Sequence, residues 1–415
     1  MRLTLRTHVI KAIDLGHDHG WRNGRLTVDP ARVAALFPEG PGLRLLEVLA
    51  AGPGDTLRFG PVLDVVGLRC CGQGSAFPGI TGPAAQGPDR TMDILAHGAL
   101  AVVANLQGIQ DGLIDMSAQA ADYCPFAKTY NLVCVVDIDP GTDRREADTA
   151  LRLFQGRVSE SLAALAAQTA PDWERTLTWP LPEASGLPRV AAAYFVQGQG
   201  DLRRTLVSGV ASDHLAPALM DPLELLAGAV VSGNYVMSCN KTCTFIHHQH
   251  PVVWEMLEGH GKTLDFAGVI LANEGSQMET KQATALRVAE LTVELGVQGV
   301  VLNQEGGGNS DTDIMLACQA LEKAGVATVL MVNEFAGADG STPSLTQTTP
   351  EARCIVSTGN NDQVIALGAP SRFAGHPLPA ALGSQNPSGP VTVPLTRIYA
   401  STNQLGFNAL SCESL

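Results

Sequence analysis

The sequence predicts an α/β protein: a mixed, strand-rich N-terminal half followed by a doubly wound, largely parallel α/β C-terminal domain. Three observations carry this expectation. Beyond about residue 262, continuous Val/Ile/Leu runs of strand length alternate with longer amphipathic runs, as buried parallel strands and their crossover helices do. Ahead of that point, short apolar segments are broken by Gly and Pro clusters and read as strands and turns. At 415 residues the chain exceeds what one hydrophobic core usually fills, so about two domains are expected. We place the boundary at the Thr242–Cys243 junction, giving units 1–242 and 243–415.

Taken in order, residues 1 to about 69 alternate apolar and polar positions through Leu3, Leu5 and Val9-Ile10, and Gly52-Pro53-Gly54-Asp55 breaks the pattern. Cys70 to Gly79 is a Gly-rich loop that lacks the Lys-Ser/Thr of a phosphate-binding loop and the spacing of a dinucleotide fingerprint. Ala99–Asn105 and Leu132–Val136 are buried strands. Between them runs a long polar segment whose acids, amides and hydroxyls make a ligand-facing surface or a capped surface loop; Asp115 and Thr129 are its candidate contacts. Ala147–Ala167 is a helix with an apolar stripe from Leu151 to Leu165. Residues 171–188 form a proline-rich connector, and Arg189–Val196 is a strand. Asp221-Pro222 opens a buried helix running to about Gly233-Asn234. Strands at Gly268–Asn273, Gly299–Asn303 and Ala327–Val332 then alternate with helices at Met278–Leu295 and Thr312–Lys323, the first with Met278, Ala285, Ala289 and Val293 on its apolar face. Cys354–Ser357 and Val364–Leu367 add short strands. In such sheets ligands bind at the carboxyl ends of the strands. The loops there are Asn273–Ser276, Gln304–Asp313 and Asn333–Gly337, each with an acidic residue and a Gly.

Composition excludes several function classes. Hydrophobic residues make up 45% of the chain and aromatics only 5%, so burial falls mainly to Ala, Val and Leu. The net charge of −14, without a Lys/Arg run, argues against a nucleic-acid surface. No stretch reaches the roughly 20 apolar residues of a membrane span. The amino terminus alternates like a strand and lacks the apolar block of a signal peptide, so a cytoplasmic protein is expected. Nine scattered cysteines, an odd number, argue against a disulfide framework. Cys134 and Cys318 sit in apolar runs and read as core; Cys412 lies near the carboxyl end.

Two stretches concentrate reactive side chains. Glu305 to Asp313 holds three consecutive glycines, which let a backbone approach a ligand closely, with Glu305 and Asn309 as candidate contacts. Its carboxylates fit an ordinary helix cap, with a hard cation as the lesser alternative. Ser238 to His250 holds Cys239 and Cys243 four apart, then His247, His248 and His250. The imidazoles read as zinc ligands for a metal-dependent enzyme or as structural and substrate-facing groups. Cys243 reads as an inert core thiol, as a nucleophile with His247 as base, or as a self-processing residue whose thiol attacks the Thr242 carbonyl. The last route needs a strained peptide, an oxyanion donor and a base.

The chain resembles, over most of its length, the proprotein of component B of the glycine/sarcosine/betaine reductases, and the related D-proline reductase proprotein. The likeness is clearest in Gln107–Asn131, with Gly112-Leu113-Ile114-Asp115-Met116 and Pro125-Phe126-Ala127-Lys128-Thr129, in Glu305–Asp313, and in Thr402–Phe407. It implies cleavage between Thr242 and Cys243, with Cys243 becoming an amino-terminal pyruvoyl group, the expected cofactor. It also implies an oxidoreductase subunit that takes a small amine substrate and works with a selenol- or thiol-bearing partner subunit in a hetero-oligomer. Cys243 and Thr242 are then the catalytic pair, and Asn240, His247, His248, Glu305, Asn309, Asp115 and Thr129 the expected substrate contacts, with no metal. The alternatives from other classes are an unprocessed ligand-binding or scaffold subunit and the His247–His250 metal enzyme.

Overall fold

A computed structural model describes residues 1–40, 42–106, 112–199, 204–233, 236–342 and 345–407. The protein is mixed α/β and is organised around two large sheets. The first is built from β1 (Arg2–Val9), β2 (Leu43–Ala51), β3 (Val62–Cys71), β4 (Asp89–Ala104), β5 (Tyr130–Ile138) and β6 (Trp173–Thr178). Its axis is the long β4, which pairs parallel with β1 over 89–96 and with β5 over 98–104, and antiparallel with β3. Alternate residues of β4 and β5 point to opposite faces, as a pleated strand requires. Leu100, Val102, Leu132 and Cys134 meet Leu151, Phe154, Val158 and Leu162 of helix α1 (Arg144–Ala167). Ala99, Ala101, Val103, Val133 and Val135 face the second sheet.

The second sheet holds β7 (Arg189–Val196), β8 (Ala218–Met220), β9 (Asp265–Asn273), β10 (Gly299–Gln304), β11 (Ala327–Glu334) and β12 (Ile355–Asn360), in the order β8-β9-β7-β10-β11-β12. All its pairings are parallel except that of the edge strand β8. Ala191, Ala193 and Phe195 of β7 pack under helices α4 (Met278–Glu294) and α5 (Asn309–Lys323). Ala192, Tyr194 and Val196 enter the core shared with the first sheet, together with α2 (Thr244–His248), α3 (Pro251–Gly259) and the chain from 365 to 405. The face opposite α4 and α5 is thus covered largely by the strand-rich part of the protein rather than by a second set of crossover helices.

Several sequence expectations shift in detail. The helix opened by Asp221-Pro222 is one turn, Pro222–Leu226, and is followed by a strand at Val230–Val231. Gly228 ends it at φ +100, where a Cβ would stand 2.1 Å from the Ala76 carbonyl oxygen. In α4 the buried face is Lys281, Thr284, Ala285, Val288, Ala289, Leu291 and Thr292, whereas Met278 and Val293 are exposed. The connector 171–188 contributes β6, and Val364–Leu367 pairs with Val391–Pro394 in a separate ribbon. Cys134 and Cys318 are buried, and the described cysteines form no disulfide. Cys412 and Gln107–Asp111 lie outside the described residues.

The segments 1–242 and 243–415 are interleaved: the core beneath α1 comes almost wholly from 1–242, but a second core is built from both. β7, from before the junction, sits between β9 and β10 from after it. Arg372–Gly375 pairs parallel with Leu57–Gly60 in a three-stranded sheet with Ile114–Asp115. The physical reason is that β7 is apolar on both faces, and only the later strands and helices can cover it.

Candidate active site

Each parallel strand of the second sheet ends in polar side chains: Gln197, Asn273-Glu274, Asn303-Gln304-Glu305, Asn333 and Asn361 are all buried. The Ser238–Thr244 stretch lies over this end, also wholly buried. It begins as a single 3-10 turn, Ser238–Asn240, and is held by the closing segment of the chain. Ala400 N–H donates to Ser238 O (2.7 Å) and Thr402 N–H to Cys239 O (3.1 Å). Asn403 Nδ2 donates to Lys241 O (3.0 Å) and to Thr242 Oγ1 (2.8 Å), so one amide grips the residues ahead of the Thr242–Cys243 peptide. After that peptide, Asp64 of β3 fixes the start of α2. Its Oδ1 accepts from Thr244 N–H (3.1 Å) and its Oδ2 from Thr244 Oγ1 (2.7 Å). Residues from both large sheets and the carboxyl-terminal segment therefore converge on one bond. That bond is trans, and neither Thr242 nor Cys243 has a left-handed backbone. Burial and hydrogen bonding set it apart, not backbone strain.

Behind the junction stands a chain of titratable groups. Tyr194 Oη, projecting from the middle of β7, shares a 2.9 Å hydrogen bond with His247 Nδ1. His247 Nε2 is 2.9 Å from Glu305 Oε1, close enough for an ion pair although poorly aligned as a hydrogen bond. Glu305 Oε2 accepts from Gln197 N–H (2.6 Å) and Thr205 Oγ1 (2.6 Å). Burial opposes ionisation of Glu305, but His247 and these donors outweigh it and hold the carboxyl below its ordinary value. Burial pushes Tyr194 well above its ordinary value, with Glu305 and Glu274 adding to the effect and a hydrogen bond with the Thr242 side chain opposing it. The phenol stays protonated and bridges Thr242 to His247. Glu274 is raised well above the carboxylate range by burial and by the nearby Asp313 and Glu305. Ser310 Oγ donates to its Oε2 (2.9 Å) and Glu305 N–H to its Oε1 (3.1 Å).

Cys243 is the N-cap residue of α2 and is fully buried. Burial and the Asp64 carboxylate push its thiol well above the ordinary value, against the N–H groups of Ile246 and Phe245 and the Lys241 cation. Burial likewise lowers the pKa of Lys241, against Asp64 and Cys243. A thiol held protonated beside a lysine, a phenol and an imidazole is not a standing thiolate nucleophile; it needs its proton taken during the reaction.

Of the residues expected from sequence, Asn240, Thr242, Cys243, His247 and Glu305 come together here. Asn240 hydrogen-bonds Asn333, whose Oδ1 accepts from Gln404 Nε2 (2.9 Å). The glycine loop closes over them: a Cβ on Gly307 would lie 3.2 Å from Asn240 Nδ2 and 3.4 Å from Asn333 Oδ1. The other four point elsewhere. His248 faces away, its Nε2 2.9 Å from Val230 O and its ring against Phe77. Asn309 is exposed and donates to Gln199 Oε1 (2.8 Å). Asp115 is ion-paired with the fully buried Arg58 (2.8 Å), and Thr129 binds locally to Phe126 O and Asn131. The histidines diverge, and among the described residues no group of three His, Cys, Asp or Glu could hold a metal. Burial and His247 push His250 down to about 3.

Sequence reasoning missed Tyr194, Asp64 and Asn403 as site residues. Tyr194 carried the one available signal, a lone hydroxyl in an otherwise apolar strand.

A family profile described as glycine/sarcosine/betaine reductase component B subunits matches residues 1–413. This chain belongs to that family. Its similarity to curated members of the component B family runs from end to end. It is 32% identical to the glycine reductase complex component B subunits alpha and beta of Peptoclostridium acidaminophilum and 33% identical to the sarcosine reductase complex component B subunit alpha of the same organism, each over 100% of both chains. It is 29% identical to that organism's betaine reductase complex component B subunit alpha, over 92% of this chain and 88% of the relative. These component B relatives are parts of oxidoreductase complexes. No solved structure gives a significant match. No described helix is long and apolar enough to cross a membrane.

Proposed function

We propose that this chain is the amine-activating subunit of a reductase complex that cleaves a C–N bond, and that it acts after cutting itself between Thr242 and Cys243. The cut gives chains 1–242 and 243–415, the second carrying a pyruvoyl group made from Cys243. One observation carries the reading: the Thr242–Cys243 peptide is buried where three parts of the chain meet, with Asn403 on one side and the Tyr194–His247–Glu305 chain on the other.

The residues fit such a group. With its proton on Nε2 toward Glu305, His247 leaves Nδ1 to accept from Tyr194, and that assignment makes the three residues one path for a proton. As the Cys243 sulfur adds to the Thr242 carbonyl carbon, its proton leaves along this path and the amide nitrogen takes one as the C–N bond breaks, giving a thioester. Loss of the Cys243 α-proton then expels the sulfur on Thr242 as a thiocarboxylate. The dehydroalanine left behind tautomerises, takes up water and releases ammonia. The resulting carbonyl supplies an electron sink for an amine's C–N bond. Four buried amide oxygens at this end of the second sheet, on Gln197, Asn303, Gln304 and Gln404, have no hydrogen-bond partner, and they match the N–H donors of a primary or secondary amine. Family membership supports a hetero-oligomeric complex with a selenol- or thiol-bearing partner that attacks the α-carbon, in the cytoplasm.

Denaturing electrophoresis with intact mass tests this. Two fragments divided before residue 243 are expected, the later one lacking a free amino terminus and forming a hydrazone with phenylhydrazine. A single 43.5 kDa chain that does not react with phenylhydrazine refutes the reading.

A further inference from the structure

Two of the described lysines are buried, each only 2% exposed. Lys281 is built into the packing of α4 on α5, where it donates to Asn309 O (3.0 Å) and to the Asp313 carboxylate. Lys241 stands two positions before Cys243, and the cleavage path described above does not use it. The chain is extended at both residues, with φ −58, ψ 119 at Lys241 and φ −77, ψ 166 at Cys243. Their Cα atoms are at most about 7 Å apart, the length of two extended residues, and a lysine's four-carbon stem covers that span. Burial keeps the amine inside the junction. The groups facing it there are Asp64, the Cys243 thiol, Glu305 and Arg152.

Both sides of the junction are held from across it. Asn403, from the 243–415 segment, donates to Lys241 O (3.0 Å) and Thr242 Oγ1 (2.8 Å). Asp64, from the 1–242 segment, accepts from Thr244 N–H (3.1 Å) and Thr244 Oγ1 (2.7 Å), which places its carboxylate beside Lys241 and Cys243 alike. A break between Thr242 and Cys243 leaves all four contacts intact, so Lys241 and position 243 stay neighbours.

We infer that, once the bond is cut, the Lys241 amine condenses with the new ketone at position 243, and that the resting protein carries an imine joining its two chains. This rests on the cleavage proposed above. The ketone carbon is the former Cα of Cys243. Lys241 passes a proton to Asp64, its nitrogen pair forms the bond to that carbon, and the carbonyl oxygen takes up protons and leaves as water. An ammonium and a ketone thus become a protonated imine and water, with nothing oxidised or reduced. Burial lowers the pKa of Lys241 and so eases loss of its proton, and the Asp64 carboxylate faces the positive imine that results. A substrate amine displaces the lysine by exchange at the same carbon.

Borohydride, which reduces an imine to a stable amine, tests this on the native full-length protein, followed by denaturation and intact mass. One joined species is expected, weighing the sum of the two fragments less one oxygen atom, with the link mapped to Lys241 by peptide mass. Without borohydride, denaturation hydrolyses the imine and releases two fragments, the later one reactive toward phenylhydrazine. Methylamine added in excess before borohydride suppresses joining. K241R keeps the charge opposite Asp64 but cannot form the imine, and it abolishes joining; the wild-type peptide map carries the test if that variant does not fold. Fragments that stay separate after borohydride, the later one heavier by two hydrogens, overturn the inference and leave the pyruvoyl reading standing. A link mapped to any other lysine also overturns it. A single chain before any borohydride, unreactive toward phenylhydrazine, overturns the pyruvoyl reading and the imine with it.

Discussion

Replacing Cys243 with alanine leaves one uncleaved chain of about 43.5 kDa with no activity toward any amine, even when its partner is supplied. The expectation follows from the chemistry: alanine has neither a nucleophile for the Thr242 carbonyl nor a leaving group on its β-carbon. Both are needed before a carbonyl can appear at position 243. The site tolerates the smaller side chain, since Asp64 and Asn403 hold the neighbours Thr244 and Thr242 rather than Cys243 itself. A far-ultraviolet spectrum like that of wild type therefore accompanies the loss. Cys243→Ser is the sharper variant, because a hydroxyl supports the same acyl shift and elimination through an ester. It should cleave more slowly than wild type yet still yield a fragment reactive toward phenylhydrazine. Cleavage of Cys243→Ala at the same bond would assign the cut to an outside protease.

Glu305→Gln should slow cleavage by roughly 10²–10⁴-fold, the usual range for losing a positioned acid–base group. The amide keeps the volume and can still accept from Gln197 N–H and Thr205, but it removes the charge facing His247. The fragment ratio over time after refolding, taken across pH, measures the effect; an unchanged rate sinks the relay. A stability signature accompanies it. The folded Glu305 carboxyl is held below its unfolded value, so its contribution is present above the ordinary glutamate pKa of about 4.3 and is lost as pH falls through the folded value. Denaturant midpoints of wild type and Glu305→Gln should therefore converge on acidification.

Much of this was legible in the sequence. Polar residues closing apolar strands at Asn273-Glu274, Gln304-Glu305 and Asn333 mark the carboxyl ends of a parallel sheet, and the candidate site lies at that end. What was not legible depends on contacts distant in sequence. Asp64 meets Thr244 across 180 positions and Asn403 meets Thr242 across 161, and no periodicity reports such pairs. Asp115 and Thr129 looked like ligand contacts because polar groups in a loop resemble a binding surface. Asp115 instead neutralises the buried Arg58, and removing it would strand a buried charge. The short Pro222–Leu226 helix shows the same limit, since the glycine that follows its cap, Gly228, is packed against the backbone of Ala76, distant in sequence.

The position of β7 between β9 and β10 has a consequence for the cut protein. The two products of the proposed cleavage would share a sheet, a second small sheet and one core, so parting them would expose both faces of β7 and that shared core. They would behave as complementing fragments, a dimer made from one gene product. Unfolding of the nicked form is then bimolecular, and its melting temperature rises with protein concentration, whereas that of uncleaved Cys243→Ala does not.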